Sequence, residues 1–245
     1  MSIPKPSPQA VSQLAPTGKL RAAINLSNFL LVTDKTPSGD PVGVSPDMAA
    51  LLADQLGVEL ELIGYKTPAS IADTAQNNEW DIGNIGNEPA RAQFIDFSPP
   101  YSQIEATYLV PEGSTLTSID QVDQPGVRIV TAGRTAYGLW LEDNLRHAEL
   151  IQVSGLNQSF DTFVDQNLDA LAGLTVKLVD EAARLPGSRV LSGRFASVQQ
   201  SIGVPKGRGV EGIEYVTQLV EAAIESGLVQ HFIDTHQPPG LTVAN

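Results

Sequence analysis

The stretch Ser45-Pro46-Asp47-Met48-Ala49-Ala50-Leu51-Leu52-Ala53-Asp54-Gln55-Leu56-Gly57, continued by Val58-Glu59-Leu60-Glu61-Leu62, decides the fold class. Ser45, Pro46 and Asp47 predict an N-cap, a proline at the first helical position and a first-turn acid. Met48, Leu51, Leu52 and Leu56 then recur at helical spacing until Gly57 stops the helix. Residues 58–62 alternate with period two, as a half-buried strand does. A helix joined to a strand by one glycine is the unit of an α/β sheet.

Working outward, residues 20–26 form an apolar strand-like run, and Thr36-Pro37-Ser38-Gly39-Asp40 has turn chemistry. Residues 71–76 supply a second helix, and Trp80-Asp81-Ile82 opens a further strand. The same order restarts after Pro111-Glu112-Gly113-Ser114. A strand at 127–130 leads through Gly133-Arg134-Thr135 into a helix with Tyr137, Trp140, Leu141 and Leu145 on one face. A strand at 149–153, a helix near 159–166 and a strand at 168–172 complete a second α/β unit without a visible sequence repeat. A late strand at 201–205 precedes a long helix marked by Ile213, Val216, Val220 and Ile224. Gly227 interrupts it before a last short helix. Mainly parallel sheets of this kind bind ligands at the carboxyl ends of their strands.

Composition narrows the function. The 245 residues exceed one average domain of roughly 100–200 residues. Hydrophobic residues make up 42% and charged residues 18%, with no apolar run near the roughly 20 residues of a membrane span, so a soluble globular protein is expected. A net charge of −13 repels phosphate backbones and anionic lipids, which argues against a nucleic-acid partner. The absence of cysteine removes disulfides, thiolate nucleophiles and cysteine-bearing zinc sites, and fits an oxidising or a reducing compartment equally. His147, His231 and His236 have no paired metal-ligand spacing, so neither a metal nor another cofactor is expected. Hydrolase elbows and phosphate loops are also missing. Residues 1–16 open with prolines at 4, 6 and 8 and read as an irregular arm outside the fold. They lack the apolar core of a secretory signal, so a signal was either removed or never present.

Several short motifs, in order and spacing, resemble the type II periplasmic binding proteins of the amino-acid-binding class, the family 3 solute-binding proteins of ABC transporters. They are Gly18-Lys19-Leu20-Arg21, then Pro41-Val42-Gly43-Val44-Ser45-Pro46-Asp47-Met48, Trp80-Asp81-Ile82, Arg91, and Asp96-Phe97-Ser98-Pro99-Pro100-Tyr101. Gly133-Arg134-Thr135-Ala136-Tyr137, Leu168-Asp169-Ala170-Leu171 and Ile202-Gly203-Val204-Pro205-Lys206-Gly207 follow, so the resemblance covers about residues 17–237. It implies an α/β, two-lobed periplasmic-binding-protein-like type II fold, with two sheet-centred lobes joined by a two-strand hinge. Lobe 1 would comprise residues 17–107 and 202–245, and lobe 2 residues 108–201. The chain would cross near 107–110 and return near 199–204. A small-molecule ligand would lie between the lobes, which close on it.

The resemblance further implies a monomer that serves an ABC permease from the periplasm or another extracytoplasmic space, with the cytoplasm left open. Arg91 matches the arginine that grips the ligand's carboxylate, a task suited to its planar fork of donors. Thr135 matches a helix N-terminus offering amides and a hydroxyl to the same group, with Arg134 contributing backbone.

Three departures concern the rest of the site. Gly83-Asn84-Ile85-Gly86-Asn87-Glu88-Pro89 replaces a longer Thr/Ser-rich loop, so Asn87 and Glu88 are candidate contacts, against ordinary turn chemistry. Leu174 and its neighbours stand where an acid for the ligand's ammonium is usual, and Glu105 is the candidate replacement, against a solvated carboxylate on a strand edge. The aromatic shelf is reduced to Asn28-Phe29-Leu30-Leu31. Phe29, Tyr65 and Asn25 are candidate contacts there, against plain core or strand-end roles.

No catalytic residue is assigned. The alternative is an enzyme on the same fold, dehydratase-like, with Glu105 or Glu88 as general acid, or a ligand-sensing module.

Overall fold

A computed structural model describes residues 3–244. In chain order the elements begin with helix α1 (Pro8–Leu14), strand β1 (Lys19–Asn25), and a hairpin of β2 (Asp34–Lys35) and β3 (Pro41–Val42). Then come α2 (Val44–Leu56), β4 (Glu59–Tyr65), α3 (Pro68–Asp73), β5 (Ile82–Gly86), β6 (Ile95–Phe97) and β7 (Ser102–Val110). They continue with β8 (Arg128–Ala132), α4 (Ala136–Asn144), β9 (Glu149–Val153), α5 (Leu156–Asp165), β10 (Ala170–Leu174), α6 (Thr175–Arg184) and β11 (Arg189–Val190). The last are β12 (Ala196–Pro205), α7 (Val210–Glu225), α8 (Leu228–His236) and β13 (Leu241–Val243).

The chain divides into two compact units. One runs through Gln103 and resumes at Gln199; the other is Ile104–Val198. The chain therefore passes between units within β7 and returns within β12.

In the first unit β4, β1 and β5 are parallel and β12 joins β5 antiparallel, in the order β4-β1-β5-β12. Alternation along β1 and β5 sends Ala23 and Ile85 to one face, where they pack with Ile71, Ala75, Trp80 and Ile95. In the second unit β10, β8 and β9 are parallel and β10 pairs antiparallel with β7. Ile129, Ala170 and Ala172 face Leu141 of α4, whereas Val130 and Leu171 face Phe160 and Phe163 of α5 and Leu178 of α6. Apolar side chains on both faces are what a sheet covered by helices on both sides requires.

Two local expectations are corrected. The proline-rich start is not irregular throughout, because α1 begins at Pro8. A proline is tolerated at the first helical position, whose amide needs no intrahelical partner, and the Ser7 hydroxyl accepts from the Ala10 amide at 3.0 Å. Leu14 is fully buried, and the Gln13 side chain accepts from the Gly212 amide at 2.7 Å, so this segment is part of the fold. Helix α2 starts one residue before Ser45, with Gly43 (φ 149°) as its cap. An added Cβ on Gly43 would lie 2.3 Å from the Leu31 carbonyl oxygen, so only glycine fits that entry. Ser45 is consequently buried and hydrogen-bonded to the Tyr101 hydroxyl at 2.9 Å. Helix α6 follows β10 directly and buries Leu178.

Candidate functional site

In the first unit the three parallel strands end at Tyr65, Asn25 and Gly86, with Asn25 and Tyr65 in register. This is the edge at which open α/β sheets bind ligands. Beyond β5 the chain turns at Asn87, whose amide donates to the Gln199 carbonyl, and Glu88 then accepts the Arg91 amide at 2.9 Å. That turn brings Arg91 back beneath the strand end. Its side chain is only 4% exposed, and Nη1 donates to the Gly86 carbonyl at 2.9 Å and lies 2.5 Å from Glu88 Oε2. Burial pushes the Glu88 carboxyl above the usual carboxylate range, and the Arg91 charge opposes that shift without cancelling it.

The other first-unit candidates are held differently. Asn25 Oδ1 accepts from the Ser27 amide (3.2 Å) and hydroxyl (2.8 Å), a local turn. The Tyr65 hydroxyl donates to Glu79 at 3.0 Å, and burial raises its pKa. Phe29 is 36% exposed between the anchored pair Leu30 and Leu31 on one side and Asn28 on the other, an aromatic face left uncovered within its unit.

In the second unit β8 ends at Ala132 and turns through Gly133 and Arg134, whose φ is 59°. Thr135 caps α4. Its hydroxyl donates to the Ala132 carbonyl at 2.7 Å and accepts from the Gly138 amide at 3.1 Å. A side chain at Gly138 would come within 2.8 Å of that same carbonyl, so glycine is required there. The Thr135 hydroxyl is thus engaged by its own helix. The elements this turn can turn toward an anion are the first-turn amides, which have no intrahelical acceptors. Glu105 is half-exposed, with Oε1 2.6 Å from Nη1 of Arg194, and its carbonyl accepts from the Thr175 hydroxyl.

Two polar groups escaped the sequence reading. Glu181 of α6 is 2% exposed, one turn from the core residue Leu178, and lies 3.4 Å from Lys177. Burial raises its pKa against the pull of Lys177. Tyr137, raised by its own burial, is linked to the Thr135 hydroxyl and lies within the field of Glu181. Asn84 in β5 is 1% exposed, and neither of its amide atoms has a partner among the described residues. Nothing in the local pattern distinguished these from surface residues. Among the described residues no three His, Cys, Asp or Glu side chains form a metal-binding group, and no helix is long and apolar enough to cross a membrane.

The sequence profile of the bacterial extracellular solute-binding proteins, family 3, matches residues 27–236. Cyclohexadienyl dehydratase of Pseudomonas aeruginosa is 24% identical over 242 residues, covering 93% of this chain and 87% of that protein. Membrane-bound lytic murein transglycosylase F of Actinobacillus succinogenes is 34% identical over 68 residues, and the match spans 27% of this chain and 14% of that protein. An amino acid ABC transporter substrate-binding protein from Streptococcus pneumoniae, solved bound to L-arginine, superposes with a TM-score of 0.70. It is 20% identical, with 96% of this chain and 99% of that one covered. The fold is therefore the type II periplasmic binding protein fold.

Proposed function

Because the chain belongs to the bacterial extracellular solute-binding proteins of family 3, we propose that it captures a small carboxylate-bearing solute, an amino acid or close analogue, for an ABC importer. The observation that supports this is Arg91. A guanidinium 4% exposed at the carboxyl end of β5 is costly unless a partner repays its desolvation. The Glu88 carboxylate and the Gly86 carbonyl supply partners from within the chain, and a solute carboxylate would meet the same planar fork with two parallel hydrogen bonds. The first-turn amides of α4 beside Thr135 are the second anion-binding element. An extracytoplasmic location and a permease partner belong to the same reading.

Calorimetry against the twenty L-amino acids and their keto and hydroxy analogues tests it. Arg91→Ala is expected to weaken the tightest ligand by about 2–5 kcal/mol, the loss on removing one partner of a buried charge pair. An unchanged affinity in a folded variant removes Arg91 from the site.

A second reading is favoured by one observation, the buried Glu88 with its raised pKa, in a chain 24% identical to a cyclohexadienyl dehydratase. A protonated carboxyl there would act as general acid in a dehydration. Arg91 at 2.5 Å favours the charged carboxylate, which is why binding is preferred. Incubation with cyclohexadienyl compounds, followed by mass spectrometry for loss of water, separates the two readings.

A further inference from the structure

The carboxylate of Glu88 lies against the Gly86 backbone on one side and Arg91 on the other. A Cβ at residue 86 would sit 2.4 Å from Glu88 Oε1 and 2.8 Å from Oε2, with the Glu88 carboxyl carbon next at 3.0 Å. The glycine is thus the space in which the carboxylate rests. The backbone of Arg91 does not depend on the Glu88 side chain for its placement. Its amide is fixed by the Glu88 backbone carbonyl, its own carbonyl accepts from Phe94, and Nη1 donates to Gly86.

Oε2 of Glu88 is buried 2.5 Å from Nη1, yet it accepts no well-aligned hydrogen bond among the described residues. A free carboxylate is not tethered by the chain and can align with the fork to gain two parallel bonds.

We propose that Glu88 is an internal occupant of the carboxylate seat, holding Arg91 in the unliganded protein and leaving when a solute carboxylate takes the guanidinium. This rests on the reading of Arg91 as the carboxylate grip and adds a selectivity rule to it. Glu88 keeps a buried arginine neutralised while the seat is empty and excludes carboxylates too weak to displace it. Two anions at one guanidinium repel, so each lowers the other's affinity.

The test compares wild type with Glu88→Gln, Gly86→Ala and Arg91→Ala, by calorimetry with the tightest carboxylate among the twenty L-amino acids and their keto and hydroxy analogues. Glu88→Gln removes the competing charge. Gly86→Ala keeps that charge but fills its resting place. Both are expected to bind about tenfold tighter, the size of one charged hydrogen bond no longer displaced, while Arg91→Ala loses affinity. Equal or weaker binding by Glu88→Gln and Gly86→Ala, alongside a weakened Arg91→Ala, overturns the proposal and leaves the carboxylate grip standing. Unchanged binding by Arg91→Ala, or no binding by any of the proteins, overturns the grip itself and the proposal with it. In wild-type protein the Glu88 carboxyl ¹³C resonance should also move toward that of a free carboxylate on saturation with the same ligand. An unmoved resonance overturns the displacement independently of how the variants fold.

Discussion

Arg21 gives Asp81 both its backbone amide, at 3.0 Å, and its Nε, at 2.9 Å, while its own carbonyl accepts the Asp81 amide. Arg128 and Asp169 repeat the arrangement in the second unit, with the amide at 2.8 Å and Nε at 3.1 Å. In both units the arginine also reaches a carbonyl just upstream of the aspartate, that of Asn78 or of Asn167, and both asparagines are left-handed, with φ of 56° and 47°. Each clamp fixes the start of a first strand to the residue that precedes a neighbouring parallel strand. Strand register sets which side chains reach the far edge, so these clamps align the carboxyl ends where Arg91 and Thr135 lie.

The two clamps differ in burial, and their removal should differ accordingly. Asp81 is fully buried and also holds Arg208 at 2.6 Å, so Asp81→Ala leaves two largely buried arginines without their acceptor. Its expected cost is about 3–5 kcal/mol. Asp169 is 39% exposed with a 41% exposed partner, and Asp169→Ala should cost about 1–2 kcal/mol, mostly for the orphaned Arg128 amide. Urea unfolding of both variants checks the order; equal losses would mean that burial does not set the difference.

Asp123 accepts from the amides of Arg146, His147 and Ala148 at 3.0, 2.8 and 2.9 Å, closing the turn before β9. Partial burial pushes its pKa up, but the three amides outweigh it, and the net shift is below the ordinary value. A carboxylate with a depressed folded pKa contributes stability that is present above its unfolded pKa and disappears as the pH falls through the folded one. Asp123→Ala should therefore melt below wild type at pH 7. The gap should begin to narrow below about pH 4, where the unfolded carboxylate takes up its proton, and vanish only below the lower folded pKa. A gap independent of pH would assign the loss to packing.

The α/β order was legible because it rests on local signals. Leu51, Leu52 and Leu56 at helical spacing, the left-handed Gly57 and the alternation after it all reappear as α2 and β4. What was not legible depended on partners far along the chain. Pro8 breaks a helix in general yet starts α1, because Gln13 finds Glu211 and Gly212 nearly two hundred positions away. Ser45 looked like a cap, but a glycine tolerating φ 149° took that place and released its hydroxyl to Tyr101. In the candidate site, the residue types at 88 and 91 were readable, whereas their contact follows from the tight turn after β5 and the missing side chain at Gly86. Glu181 gave no signal, since a buried carboxylate and an exposed one have the same letter.

Glu105 was singled out as the acceptor for a ligand ammonium, and its geometry gives a definite expectation. Its Oε1 lies 2.6 Å from Arg194, and both side chains are about half-exposed. A screened pair of this kind contributes about 0–1 kcal/mol. Glu105→Gln should therefore leave the urea midpoint nearly unchanged, while the ratio of affinities for an amino acid and its keto analogue tests its proposed role as ammonium acceptor. A selective loss of the amine alone, measured by calorimetry, would place Glu105 on the ligand after all and make Arg194 its holder in the empty protein.

Substitution can separate the cap that Thr135 provides from the anion-binding role proposed for it. Its hydroxyl caps α4 through the Gly138 amide, and losing such a cap costs about 0.5–2 kcal/mol. Thr135→Ser keeps the oxygen and Thr135→Ala removes it, so serine should retain wild-type stability and alanine should lose the cap. Ligand affinity is expected to follow a different course. If the anion is held by the first-turn amides, which neither substitution removes, Thr135→Ala should weaken a carboxylate only modestly, about three- to tenfold, through fraying of the turn. If the hydroxyl leaves Gly138 and bonds the ligand directly, alanine loses a full charged hydrogen bond, a further tenfold or more. Measuring urea stability and calorimetric affinity on the same two variants decides it. A loss in stability with nearly preserved affinity assigns the hydroxyl to the helix, and a loss in affinity beyond about tenfold assigns it to the ligand.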